Sequence, residues 1–138
     1  LQYVYPAVFY KDKKLPETYS VIFPDVSGAV TFGFSLYDAI FMAEDALAGI
    51  LTGFEDGEIS NKVQEPTPIE KVVAEPDEFS ESAFVTLIKA DTDAYRKILE
   101  VLPPREESDE DDETELPETY ARELCRVAGI EYPFGAEK

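Results

Sequence analysis

The chain contains no histidine, so the commonest general base and metal ligand is missing. Its one cysteine, Cys125, has no imidazole to activate it and no second thiol to pair with. That removes cysteine-nucleophile chemistry, an internal disulfide and a zinc site together. What remains for chemistry is carboxylate. Asp109, Glu110, Asp111 and Asp112 have the charge density to attract calcium, but the run lacks the turn-forming glycine and fixed ligand spacing of a calcium loop. Asp91 and Asp93 precede a short helical pattern and read as helix-start residues. Asp25 lies in the turn Phe23-Pro24-Asp25, where a carboxylate either bonds nearby amides or is shown to a partner. There is no nucleophile elbow, P-loop or Gly-rich dinucleotide turn. The sequence therefore implies no catalytic set, no metal and no cofactor. An acid-dependent hydrolase or metal-binding role ranks behind binding roles.

Charge narrows the kind of partner. The 138 residues carry a net charge of −18. Half of it falls in residues 106–138, where twelve acids stand against three bases. Such a field repels nucleic-acid phosphates and anionic membranes, and it speeds association with a basic protein. No apolar run reaches the length of a membrane span; the best candidate, 39–51, is interrupted by Glu44 and Asp45. No basic-then-apolar opening marks a secretory signal, and the lone thiol suits a reduced compartment, so a cytoplasmic location is expected.

The elements that would position these groups follow from pattern. Residues 3–10 are rich in β-branched and aromatic side chains and read as a strand, with Pro6 placing it at a sheet edge or kinking it. Residues 11–18 form a hairpin loop, 19–23 a second strand and 29–32 a short third one. Ser35 is a helix N-cap with Asp38 three residues on. Leu36, Ile40, Ala43, Leu47 and Ile50 then keep helical spacing, and Gly53 is the expected C-cap. Residues 63–76 hold three prolines and should wrap the domain in extended form. Residues 83–90 alternate as a strand, and 94–102 form a helix closed by Pro103 and Pro104. The acidic run 105–115 should be a flexible linker. A last helix over 118–129, with Tyr120, Leu124, Val127 and Ala128 as its apolar face, must pack on the domain, pair with another copy or fray. The order predicts an α+β fold, an antiparallel sheet of three to four strands packed on one main helix (β-β-β-α-β), with a tethered C-terminal helix. The division is 1–104 for the domain, 105–115 for the linker and 116–138 for the appended helix.

Several short motifs recur in a fixed order. Tyr5-Pro6-Ala7 is followed by Tyr19, Val21, Phe23-Pro24-Asp25 and Gly28, then Thr31-Phe32-Gly33, then Asp38-Ala39 with Ala43 and Ala46, then Pro66-Thr67-Pro68. In this order and spacing the chain resembles the HicB family of bacterial antitoxins. The resemblance implies a degraded, partial ribonuclease-H-like domain without nuclease activity. It implies a partner of the HicA type, a small basic mRNA-cleaving toxin whose active site and RNA-binding face the antitoxin covers. Such antitoxins usually end in a DNA-binding module. Here Thr114-Glu115-Leu116-Pro117 and the helix after it look like the start of a ribbon-helix-helix unit. However, the ribbon is acidic and the second helix is absent, so the segment reads as a remnant or a dimerisation arm, and its charge argues against direct DNA binding.

On this reading the protein is a non-catalytic toxin-neutralising protein. The candidate partner-binding residues are Phe23, Asp25, Phe32, Tyr37 and Asp38, at the turn and the helix start, with Glu44 and Asp45 as steering charge. Phe23 and Phe32 also suit plain core packing. The competing reading is an orphan domain with no toxin partner that assembles through its sheet edge and tail helix; on either reading a homo-oligomer, dimer or higher, is expected, with residues 3–10 as a pairing edge.

Overall fold

A computed structural model describes residues 1–101 and 116–128. The acidic run 105–115, the helix stop at Gly129 and the residues after it lie outside the described residues, as do the side chains of Val127 and Ala128. Four strands, β1 (Gln2–Asp12), β2 (Tyr19–Ile22), β3 (Val30–Gly33) and β4 (Ser80–Asp91), form one antiparallel sheet in the order β3-β2-β1-β4. Three helices, α1 (Leu36–Glu55), α2 (Thr92–Val101) and α3 (Glu118–Ala128), and a 3-10 turn at Ile69–Lys71 complete the described fold. This is the α+β arrangement expected from the sequence, with α1 as the main helix on the sheet.

Alternation along the strands divides the sheet into two faces. Tyr5, Ala7 and Phe9 of β1, Val21 of β2 and Ile88 and Ala90 of β4 point toward α1, which answers with Ala39, Ala43, Leu47 and Leu51. The alanines let the helix axis come close to the strands. The tightest approach is at the first turn. A Cβ on Gly33 would stand 2.3 Å from the Ala39 backbone nitrogen and 2.5 Å from its Cα. The glycine of the Thr31-Phe32-Gly33 step is thus fixed by the space the helix start takes. Ser35 caps that start: its Oγ accepts from the Asp38 N–H at 3.0 Å, while Asp38 Oδ2 accepts from the Phe34 N–H at 2.9 Å.

Two expectations are corrected. The first strand is central, not an edge, and Pro6 sits buried inside it. β2 pairs with β1 only from Val8 to Lys11, so at Pro6 the strand has a partner on one side only, β4, and a missing N–H is tolerated there. Helix α1 also runs through Gly53. Its C-cap is Asp56, and the positive φ after it falls on Gly57 (69°). Helical hydrogen bonding and the buried Leu51 and Thr52 carry the helix past the earlier glycine.

A polar latch joins the far ends of the domain. Glu55, at the end of α1, accepts from the Tyr3 hydroxyl at 2.8 Å and the Thr92 hydroxyl at 2.9 Å. It also accepts from Arg96 Nη1 at 2.9 Å, while Arg96 Nη2 reaches Asp56 at 2.6 Å. Burial and then the hydrogen bond to Glu55 push the Tyr3 phenol up to about 12 from its ordinary 10.0. At Glu55 burial works against ionisation. The hydrogen bonds from Tyr3, Arg96 and Thr92 outweigh it and hold the carboxyl below its ordinary value. The signs are opposite. Tyr3 keeps its proton in the fold where an unfolded chain would lose it, so stability falls as pH rises from 10 to about 12. Glu55 stays ionised in the fold where an unfolded chain would take up a proton, so stability falls as pH drops below 4.5. Chemical denaturation across alkaline pH should show the first loss. Tyr3→Phe should flatten it without removing it, because burial also raises Tyr5. An unchanged alkaline slope in that variant would refute the assignment.

The second face of the sheet carries α3. Tyr120 packs on Phe32 with ring centroids 4.8 Å apart, Arg122 lies 4.0 Å over the Phe79 ring, and Glu118 pairs with Lys14 at 3.2 Å. Pro117 is fully buried at the helix entrance. Of the fates open to this short helix, packing on the domain is the one observed, with Tyr120 as its anchor.

Candidate functional site

The Phe23-Pro24-Asp25 turn is built as a clasp. Asp25 is 5% exposed, and both its oxygens are used: Oδ2 accepts from the Thr67 N–H at 2.8 Å and Oδ1 from the Thr67 hydroxyl at 2.6 Å. The Asp25 carbonyl accepts from the Gln64 N–H at 2.9 Å, and Val26 bridges Val63. The Tyr5 hydroxyl donates to the Gln64 carbonyl at 2.7 Å. Two motifs that the sequence shows far apart, Phe-Pro-Asp and Pro66-Thr67-Pro68, are therefore each other's partner. Gly28, with φ of 88°, closes the turn beneath Asn61, which donates to the Ser27 carbonyl at 2.7 Å.

This geometry turns Asp25 inward, whereas the sequence left open a surface role. Asp25→Ala removes both acceptors from Thr67. The expected cost is about 1–3 kcal/mol of stability for the stranded groups. Urea denaturation measures it, and a midpoint equal to the parent's would show that the clasp contributes nothing. Phe23 is likewise a core residue, 2% exposed. Phe32 faces the α3 side of the sheet, between Phe34 at 5.3 Å and Tyr120. These three are not brought together with the other candidates.

The remaining four are. Tyr37, Glu44 and Asp45 lie on the outward stripe of α1, and Asp38 flanks it in the first turn. The same stripe contains Phe41, Ala48 and Thr52. Helix α2 packs against its C-terminal half and buries Ala48 and Thr52. The N-terminal half is left open, with Tyr37 88% and Phe41 65% exposed. A groove of about 550 Å³ opens between α1, the start of β1, the end of β4 and α2. Phe41, Ala48, Tyr95 and Ile98 form its apolar lining, and Glu44, Asp45 and Asp91 its acidic rim.

Sequence reasoning missed Phe41, Tyr95 and Ile98. A signal for the first was present: Phe41 follows Tyr37 by four residues and falls outside the apolar stripe that the spacing of Leu36, Ile40, Ala43, Leu47 and Ile50 marks in the sequence. Among the described residues no three of His, Cys, Asp and Glu gather closely enough to hold a metal ion. Cys125 is a free thiol, half-buried on α3.

Residues 5–101 match the family model of the HicB_like antitoxin of bacterial toxin-antitoxin system. The chain belongs to the HicB-like antitoxin family. Among solved structures, this HicB-like chain is similar to a "Toxin-Antitoxin complex from Streptococcus pneumoniae", with a TM-score of 0.56 and 19% identity over 96% of this chain and 92% of that one. At that identity the likeness bears on the fold, which the two share. No curated protein matches the chain. Family membership also gives the motifs their context: in this HicB-like domain Phe-Pro-Asp and Pro-Thr-Pro make the clasp, and Thr31-Phe32-Gly33 makes room for α1. No described helix is long and apolar enough to cross a membrane.

Proposed function

We propose that this HicB-like chain is a non-catalytic antitoxin that binds a small basic mRNA-cleaving toxin of the HicA type and covers its RNA-binding and active-site surface. The observation that carries the reading is the outward stripe of α1. Two exposed aromatic side chains, Tyr37 and Phe41, stand one helical turn apart among carboxylates, and Phe41 lines an apolar groove. Aromatics in such a setting are the usual anchors of a protein interface, and acids around them favour a basic partner over an acidic one. The net charge of −18 extends the same preference over the whole molecule and mimics the charge of the RNA with which the antitoxin would compete.

In this proposal Tyr37, Phe41, Asp38, Glu44 and Asp45 meet the toxin, while Phe23, Asp25 and Phe32 support the surface from behind. Residues 1–104 form the binding domain, 105–115 the acidic linker and 116–138 an arm that rests on the sheet through α3. The docked position of Tyr120 and the acidity of the arm support a reading without direct DNA binding. The test is co-expression with the small basic protein encoded beside this chain, followed by pull-down at low and high salt. The expected result is rescue of growth and a complex that weakens as salt rises. Toxicity that this chain does not relieve would sink the proposal.

A further inference from the structure

The groove beside α1 owes its depth to three alanines on three elements. Ala48 of α1, Ala90 of β4 and Ala94 of α2 all line it. Each supplies only a methyl group where a larger side chain would fill the space. Ala48 and Ala90 are buried, whereas Ala94 is exposed. Helix α2 closes on α1 at Gly49, where an added Cβ would stand 3.1 Å from the Tyr95 hydroxyl oxygen. Phe41 and Ile98 line the groove as apolar walls and remain 65% and 52% exposed. A volume of about 550 Å³ is ample for large side chains.

The rim restricts what can fill it. Glu44 and Asp45 line the α1 side, both exposed, and neither forms an ion pair among the described residues. The acid on the β4 side, Asp91, is engaged: its Oδ1 accepts from the N–H of Asp93 at 3.0 Å and of Ala94 at 3.1 Å, and Lys89 stands near it in sequence and on the same rim. Unanswered negative charge therefore lies along α1. An occupant that is apolar in the middle and basic toward α1 satisfies both features. The chain's own remaining segments have the wrong sign. Residues 105–115 carry eight acids and one base, and 129–138 two acids and one base. A second copy would bring a net charge of −18 to an acidic rim. The shape of the occupant follows from α1. Tyr37, Phe41 and Asp45 follow one another at four-residue steps and form a ridge, against which a second helix packs its own side chains.

We infer that the groove between α1 and α2 receives a helix of the basic toxin, which buries an aliphatic or aromatic side chain over Ala48, Ala90 and Ala94 and sets a lysine or arginine against Glu44 and Asp45. The inference rests on the proposed toxin partner and extends the binding surface from α1 onto α2.

The experiment is calorimetric titration of the full chain with the purified small basic protein encoded beside it. Three variants of α2 are compared with the parent, each checked for an unchanged melting temperature. Ala94→Trp fills the groove from an exposed position and should weaken binding roughly thirtyfold or more, as loss of a central anchor does. Ile98→Ala removes part of one wall and should weaken it about fivefold. Leu99→Trp adds bulk to the same helix at an exposed position that does not line the groove, and should bind as the parent does. A parent that does not bind the toxin sinks the proposed function and this inference together. A parent that binds, with Ala94→Trp binding equally well or more tightly, keeps the partner and overturns the groove as its seat. An equal loss in Leu99→Trp overturns it too. Sedimentation of the chain alone covers the remaining occupant: a parent dimer that Ala94→Trp abolishes would give the groove to a second copy and overturn the inference.

Discussion

Alanine at both Tyr37 and Phe41 should weaken toxin binding by about a hundredfold, chiefly through faster dissociation, and leave the melting temperature of the antitoxin unchanged. Each side chain points into solvent from the open half of α1, so neither truncation creates a cavity. In a complex both become buried. Removing a central aromatic anchor typically costs about 2 kcal/mol or more of binding energy, and two neighbouring anchors do not add fully. Exchanging Glu44 and Asp45 for lysine should behave differently. It should slow association and flatten its salt dependence, because these acids act at a distance before contact. Surface plasmon resonance separates the two effects. Dissociation as slow as the parent's in the double alanine variant would move the binding surface away from α1.

Gly33→Ala should cost about 3 kcal/mol or more of stability, far above an ordinary glycine-to-alanine change. The added methyl would lie 2.3 Å and 2.5 Å from the backbone of Ala39 and 2.7 Å from the Asp38 carbonyl carbon. These are main-chain atoms, so no side chain can swing aside. Relief requires α1 to lift from β3, which breaks the packing of Ala39 and Ala43 on the strands. Thermal and urea denaturation of the variant give the cost directly. A loss below about 1 kcal/mol would mean that the helix start yields more easily than its contacts imply. The same variant tilts the stripe carrying Tyr37 and Phe41, so toxin affinity should fall with stability.

Much of this was legible in the chain itself. The α1 boundaries at the N-terminal side followed from Ser35 and the spacing of Leu36, Ile40 and Ala43, because local capping and periodicity decide a helix start. The strand order did not follow. Residues 3–10 look like an edge because of Pro6, and only the short reach of β2 explains how a central strand tolerates it. Gly53 looked like a helix end because a glycine signals one locally, while packing of Leu51 and Thr52 overrides it. At the candidate site, Tyr37, Glu44 and Asp45 could be named from exposure patterns along one helix. Asp25 could not be placed, since its partner Thr67 lies 42 residues away and nothing local announces it. Tyr95 and Ile98 were hidden for the same reason: they complete the groove from an element that reaches α1 only through the tertiary fold.

The groove draws its walls from segments far apart in the chain, Gln2 and Tyr3 on one side and Tyr95 and Ile98 on the other. This has a consequence for the newborn protein. As the polypeptide leaves the ribosome, β1, β2, β3 and α1 can assemble from near neighbours, but Tyr3 must wait for Ala90 before its strand gains its second partner. At about 5–20 residues per second, that wait lasts on the order of seconds. During it the aromatic stripe is on display while the walls beside it are missing. On the proposed function, an antitoxin being translated cannot yet hold its target, and neutralisation begins only when nearly the whole domain has been made.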